Sequence, residues 1–141
     1  MIGFIYNMVA ALGYTHPLHP AITHIPMGMV IGGFIFALFS LLLRKEDLAT
    51  SAHHCFTLAL IFVVPTVIAG YMDWQHSFMA EWNNLILTKI ILAAIFVLLL
   101  LVAFFAGRNR GLSVLIILII YALCLVVAIG LGFVGGELQY G

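Results

Sequence analysis

Residues 90–106 of the chain read IILAAIFVLLLLVAFFA, an apolar run without one charged side chain. At 1.5 Å rise per residue, a helix of about 20 such residues crosses the roughly 30 Å hydrocarbon core of a bilayer. Three more uncharged runs occupy residues 25–43, 55–72 and 112–134. A helix satisfies its backbone hydrogen bonds within one segment, as a bilayer requires. The four runs therefore predict four transmembrane helices.

The composition supports a membrane protein and excludes several function classes. The chain is 65% hydrophobic and 7% charged, whereas a soluble domain carries about 25% charged residues. Its five lysines and arginines form no basic patch, which argues against nucleic-acid binding. No Walker loop, nucleotide fingerprint or H-E-x-x-H motif is present. No carboxylate lies within the four runs, so transport is a minor alternative.

We predict an all-α integral membrane protein, a four-helix up-down bundle in one domain over residues 1–141, with spans at about 22–43, 53–72, 86–106 and 112–134.

The basic residues predict the orientation in the membrane. Four of the five lie in the first and third loops, at Arg44, Lys45, Arg108 and Arg110, and only Lys89 lies at the opposite end. Cytoplasmic loops are enriched in such residues. We therefore expect a multi-pass protein of a prokaryotic cell (inner) membrane, with both termini outside the cytoplasm.

The first fifteen residues lack the basic segment of a secretory signal peptide, so we expect none to be cleaved here. Two structures are open for this segment. It forms a short interfacial helix with one apolar face, or it is an ordered arm packed on the bundle. The apolar face of such a helix comprises Phe4, Ile5, Met8, Val9 and Leu12.

Residues 16–26, HPLHPAITHIP, carry three histidines and three prolines at the outer end of the first span. Proline is tolerated in the first turn of a helix, so a helix that begins near Pro20 places His24 about one turn inside. We expect His24 to face the bundle, near Gly70 and Gly135. An imidazole placed there needs a hydrogen-bonding group, a metal or a haem iron as its partner. The alternative is that the outer histidines bond only to Asp73, Glu137 or lipid headgroups.

The other histidines, Asp73 and several glycines also lie near the ends of the predicted helices. His76 and Asp73 lie at the same outer end, whereas His53 and His54 lie about 28 Å away along the second helix. We interpret that inner pair mainly as interfacial polar residues. Glycines also gather in the outer half, where they allow close helix packing or leave room for a flat macrocycle; they include Gly70, Gly135 and Gly136.

Three motifs in order resemble a known family: H-P-x-H-P…H-x-P at residues 16–26, G-x-x-D at 70–73 and G-G-x-L-x-Y at 135–140. They are similar to those of DUF2231, a domain of unknown function in bacterial and archaeal membrane proteins. The similarity extends from about Tyr14 to the end of the chain. It implies four transmembrane helices and a link with respiratory electron transfer, because members are sometimes joined to c-type cytochrome domains. Carried over by position, it singles out His16, His19, His24, Gly70, Asp73, Gly135, Gly136 and Tyr140.

Two functional hypotheses follow, from different classes. The first is an electron-transfer protein that binds haem b, with His24 as one axial ligand and His16, His19 or His76 as the other. Its partners would be a cytochrome or other redox subunit and a membrane quinone. The second is a non-catalytic accessory subunit of a respiratory or other redox complex. A weaker variant replaces the haem by a transition metal at His16, His19 and His24 with Asp73 or Glu137. An oligomer is compatible with both.

Overall fold

The computed structural model describes residues 2–13, 16–76, 79–109 and 111–140, with only the backbone at Ile5, Val9, Gln139 and Tyr140. Within these residues the secondary structure consists of α-helices, without strands. Four of the helices are long and apolar enough to cross a membrane, so the prediction of an all-α membrane bundle is confirmed. The helices are α1 (Ile2–Ala11), α2 (Leu18–Leu43), α3 (Glu46–His76), α4 (Asn84–Arg108) and α5 (Val114–Tyr140).

Several helices continue beyond the spans predicted from hydropathy, because polar residues stabilise their ends. Glu46 and Asp47 lie in the first turn of α3, where negative charge is favourable at the positive end of the helix dipole. The Asn83 side chain caps α4 by accepting a 2.8 Å hydrogen bond from the Ile86 amide. A window that measures only hydropathy does not detect these polar turns.

The four long helices pack as a closed bundle. α2 contacts α3 and α5, and α4 contacts α5 and α3, as expected when short loops make consecutive helices antiparallel neighbours. The rings of Phe56 and Tyr121 stack with centroids 3.7 Å apart in the buried core. At Gly33 the helices approach so closely that an added Cβ would lie 2.8 Å from the Phe56 ring.

The outer surface of the bundle is strongly apolar. Leu42, Leu98 and Phe105 are each more than half exposed, at 65%, 63% and 65%. A water-soluble monomer rarely exposes apolar surface on this scale. The lipid bilayer is therefore the partner of these helix faces.

The N-terminal helix α1 is packed on the bundle, as the second of the two alternatives expected, and its position at the membrane interface stays a prediction. Phe4, Met8 and Leu12 form an exposed apolar stripe at intervals of four residues. Tyr6, in contrast, contacts α3 through Asp73 and His76. The helix is thus both amphipathic and attached to the bundle.

The end of the bundle that carries Arg44 and Lys45, called the inner end after its predicted orientation and opposite to the outer end, contains the histidine pair. His54 is exposed, as expected for an interfacial residue, but His53 is half-buried and stacks on Phe104 with centroids 5.7 Å apart. Its Nδ1 lies against Gly107 and is the one buried side-chain nitrogen or oxygen without a hydrogen-bond partner in the described part of the chain. His53 is therefore more enclosed than the sequence indicated. Arg110, used in predicting the orientation, lies outside the described residues.

Candidate functional site at the outer end of the bundle

Asp73 is the central polar group of the outer end. It lies near the end of α3 and is only 3% exposed. Its two carboxylate oxygens accept hydrogen bonds from the backbone amides of Leu18, at 3.0 Å, and His19, at 2.8 Å. The first N–H groups of a helix have no partner within the helix, and Pro17, at the N-cap of α2, supplies no side-chain bond. A carboxylate from α3 therefore caps α2.

Tyr6 attaches α1 to the same carboxylate. Its hydroxyl donates a hydrogen bond to Asp73, and its ring stacks on His76 with centroids 4.0 Å apart and planes 3° from parallel. Burial, the hydrogen bond and the negative charge of Asp73 raise the pKa of the Tyr6 phenol above its ordinary value of 10.0. The phenol consequently remains a hydrogen-bond donor at physiological pH.

His19 is the imidazole that enters the bundle. Its Nδ1 lies 2.9 Å from the backbone carbonyl oxygen of Thr66. A carbonyl oxygen only accepts, so Nδ1 carries the proton of this hydrogen bond, and Nε2 of the neutral ring is an acceptor. The ring fills the space beside Gly70, where an added Cβ would lie 2.9 Å from Nδ1. The histidine is thus held by α3 on one side and leaves Nε2 available.

Lys89 is a site residue that the sequence reasoning missed. It lies in the first turns of α4 and is half-buried, with its Nζ 3.7 Å from the position of a Cβ added at Gly135 on α5. Its positive charge acts electrostatically on both His19 and Asp73. In the sequence, an isolated lysine at a helix end indicates only a side chain that reaches towards water. Its position against Gly135 of α5, within electrostatic range of His19 and Asp73, depends on the packing of the helices.

The expected burial of His24 is wrong. Its side chain is exposed, and His19 faces the bundle instead. The two residues are five positions apart, which at 3.6 residues per turn separates them by roughly 140° around the helix. The face of α2 that packs against the bundle includes His19, Pro26 and Val30. His24 consequently lies on another face, and no hydrogen bond to its ring exists within the described residues.

Comparison with known proteins identifies the family of the chain. Residues 15–141 match the model of a family described as predicted membrane protein (DUF2231). The chain belongs to the DUF2231 family. No curated protein and no solved structure matches it.

Some motif positions of this DUF2231 protein meet in the structure, and others do not. His19, Gly70 and Asp73 meet at the outer end of the bundle. His16 is exposed. His76, a candidate haem ligand outside the three motifs, is exposed as well. Gly136 has open space beside its Cα, without an atom within 4 Å of an added Cβ. The side chain of Tyr140 lies outside the described part of the protein.

Two of the outer glycines of the DUF2231 protein, Gly70 and Gly132, accommodate its own side chains. His19 fills the space at Gly70, and the methyl group of Met27 lies 3.0 Å from a Cβ added at Gly132. The space beside Gly70 and Gly132 is therefore occupied by side chains of the protein itself. Haem binding elsewhere on the protein stays a prediction.

The histidines and carboxylates at the outer end do not form the expected metal site. Among the described residues, no three histidine, cysteine, aspartate or glutamate side chains are arranged to hold a metal ion. The nitrogen of His19 that faces Thr66 already serves as a donor. The exposed His24 lies on a different face of α2 from His19. The geometry consequently gives no support to a mononuclear centre formed with Asp73.

The outer loop between α3 and α4 is held in an unusual conformation. Met79 and Ala80, neither of them glycine, have φ angles of 48° and 56°, in a region that L-residues rarely adopt. Trp74 holds the loop: its Nε1 donates to the Glu81 carbonyl at 2.9 Å, and its own carbonyl accepts from Ala80 at 2.9 Å. The loop leaves Met79 82% and Trp82 66% exposed.

Proposed function

We propose that this protein is a non-catalytic accessory subunit of a membrane redox complex, and that its outer loop docks the partner subunit. The observation that carries the proposal is the fixed conformation of residues 79–83. Backbone strain of about 1–3 kcal/mol per residue persists only where the surrounding structure holds it, and it is concentrated at functional positions. Here the strained loop exposes a methionine and a tryptophan, two residue types enriched in protein interfaces.

The buried polar groups support a structural role. Asp73 accepts hydrogen bonds from Leu18, His19 and Tyr6, and these three bonds join α1, α2 and α3. A catalytic carboxylate would also have to be reached by a substrate or a proton, whereas Asp73 is only 3% exposed. The redox character of the partner is inferred only from the family's association with c-type cytochrome domains.

Capture of the partner from native membranes tests this proposal. The tagged full chain is extracted in mild detergent, and associated proteins are analysed by mass spectrometry and by reduced-minus-oxidised absorption spectra. We expect a haem- or other cofactor-containing subunit to accompany the unsubstituted chain. Trp82→Ala combined with Met79→Ala should reduce its recovery about tenfold, since large exposed side chains often dominate binding energy.

The matched control is Phe105→Ala, which removes an equally exposed ring from the lipid-facing surface near the inner end. It should leave recovery unchanged. Equal losses in both variants would overturn the docking role of the loop. A haem spectrum from the chain purified alone, abolished by His19→Asn or His24→Ala but not by His54→Ala, would establish the electron-carrier hypothesis instead.

A further inference from the structure

A groove runs between α4 and α5 on the lipid-facing surface, towards the inner end of the bundle. The two helices pack directly on each other, and the groove between them has a volume of about 760 Å³. Its lining includes Leu98, Val102 and Asn109 on α4 and Leu112, Ile116 and Ile120 on α5. Because Leu98, Val102 and Ile116 are exposed, the groove opens towards the bilayer, and a component of the membrane fills it.

The length of the groove matches one leaflet of the bilayer. Leu98 and Asn109 are eleven positions apart on α4, which is roughly 16 Å at the rise of an α-helix. One leaflet contributes about 15 Å to the hydrocarbon core. An acyl chain of one leaflet therefore has the length of the groove, whereas a transmembrane helix of a partner would continue through the other leaflet.

The lining also favours an acyl chain over a partner helix. Helix interfaces in membranes are enriched in glycine, alanine, serine and threonine, because small side chains let two backbones approach closely. The groove is lined mainly by leucine, isoleucine and valine. These branched side chains keep a second backbone at a distance, but they offer many dispersion contacts to a flexible hydrocarbon chain.

Two polar side chains lie where the groove meets the inner end of α4. Asn109 lines the groove, and its Oδ1 accepts a 2.9 Å hydrogen bond from the Gly111 amide. This bond fixes the side chain and leaves its NH₂ group as a donor. Arg108, the last residue of α4, is seven positions from the lining residue Leu101. The two lie about 20° apart around the helix, so Arg108 borders the groove.

The guanidinium group of Arg108 is held in place but has no anionic partner. Its central carbon lies 5.5 Å from the centroid of the Phe104 ring, a cation–π contact. It makes no ion pair with a carboxylate of the described residues. A guanidinium group donates paired N–H bonds to phosphate oxygens, so a phosphate at the end of the groove is its expected partner.

The charges of the inner end favour an anionic ligand. The sequence places more basic than acidic residues there, with Arg44, Lys45, Arg108 and Arg110 against Glu46 and Asp47. Basic sites between transmembrane helices at the level of the headgroups bind anionic lipids. A lipid whose headgroup carries a net negative charge is therefore preferred to one whose headgroup is neutral.

We propose that the groove between α4 and α5 binds an acyl chain of an anionic glycerophospholipid, whose phosphate accepts hydrogen bonds from Arg108 and Asn109. The length and lining of the groove select the hydrocarbon chain, and Arg108 selects the charge. This lipid site lies at the opposite end of the bundle from the loop of residues 79–83. It is thus independent of the docking role proposed for that loop.

Native mass spectrometry of the full chain, released from detergent micelles, measures lipid binding directly. The delipidated protein is titrated with dioleoyl phosphatidylglycerol, which is anionic, and with dioleoyl phosphatidylcholine, which carries the same acyl chains on a headgroup without net charge. We expect one phosphatidylglycerol per chain to bind about tenfold more tightly than phosphatidylcholine. Glycerol 3-phosphate should not compete, because it lacks the acyl chain.

Arg108→Gln tests the contact with the phosphate. The substitution removes no hydrogen bond or ion pair within the described residues, so the chain should fold normally and bind phosphatidylglycerol about tenfold more weakly. The matched control is Lys45→Gln, which removes a positive charge at the same end but on the connection between α2 and α3. It should keep the preference for phosphatidylglycerol. Equal losses in the two variants would indicate general electrostatic attraction and reject the site.

Val102→Trp tests the groove itself. The indole would occupy the space of the acyl chain, and binding should weaken about tenfold, as for the loss of roughly two buried methylene groups. The matched control is Val114→Trp, since the two valines are similarly exposed, at 50% and 48%. Val114 is two positions from Ile116 and therefore about 160° away around α5. It should bind the lipid like the unsubstituted chain.

Three further results would reject the proposal. Equal affinity for the two lipids would remove the role of Arg108. Competition by glycerol 3-phosphate would identify an anion site instead of a lipid site. Dimers that dissociate in Val102→Trp would identify the groove as an interface between two copies of the chain.

Discussion

At the scale of single residues, Asp73 and Tyr6 connect α1 to the bundle. The Tyr6 hydroxyl donates to the carboxylate, and the ring lies flat on His76. The phenol can donate only while it is protonated. The attachment of α1 is therefore linked to the ionisation of one tyrosine.

This linkage predicts that the stability of the folded protein falls at alkaline pH. The pKa of Tyr6 in the folded protein is raised above its value of 10.0 in the unfolded chain. The hydrogen bond to Asp73 therefore stabilises the folded protein fully below pH 10.0, and this stabilisation is lost as the pH rises through the folded-state pKa. The absorbance of tyrosinate is measured against pH for the unsubstituted chain and for Tyr6→Phe. The difference between the two curves should show one tyrosine that ionises at a pH above the ordinary tyrosine pKa of 10.0. Ionisation of Tyr6 at the ordinary value would contradict its contact with Asp73.

At the scale of helices, hydropathy was sufficient to predict four spans but not the inward face of α2. That helix is apolar around most of its circumference, and histidines occur on more than one face. The sequence therefore did not distinguish His19 from His24. The capping of α2 by Asp73 fixes the rotation, and it depends on a residue of another helix. Lys89 was missed for the same reason, because its position against Gly135 is set by the packing of α4 on α5.

The crossing of α2 and α3 offers a paired test of helix packing. A Cβ added at Gly33 would lie 2.8 Å from Phe56, whereas one added at Gly32 would meet no atom within 4 Å. Gly33→Ala should lower the free energy of unfolding by about 1–3 kcal/mol through overpacking. Gly32→Ala should leave it unchanged or raise it by up to about 1 kcal/mol, since alanine favours a helix. Thermal unfolding in detergent measures both, and equal effects would contradict the close crossing at Gly33.

At the scale of the whole molecule, the two ends of the bundle differ in charge. Arg44, Lys45 and Arg108 lie at one end, and Lys89 lies with the loop between α3 and α4 at the other. From the positive-inside rule we expect this loop to lie outside the cytoplasm. A partner on the outer face of the membrane requires this orientation.

Labelling of introduced cysteines tests the orientation. A membrane-impermeant maleimide should modify Glu81→Cys in intact cells and Glu46→Cys only after the membrane is permeabilised, because both positions are exposed but lie at opposite ends. The unsubstituted chain is the background control, since Cys124 is buried and Cys55 half-buried. The reverse labelling pattern would place the loop in the cytoplasm.

The capping of α2 by Asp73 also has a consequence for biosynthesis. The ribosome completes Leu18 and His19 more than fifty residues before it reaches Asp73. As α2 enters the bilayer, its first N–H groups are therefore still hydrated among the lipid headgroups, and water there does not fix the depth of the helix. That depth becomes fixed only when the outer end of α3 arrives and supplies the carboxylate. We therefore expect the depth of the first long helix to be set after its insertion, once about half of the chain has been synthesised.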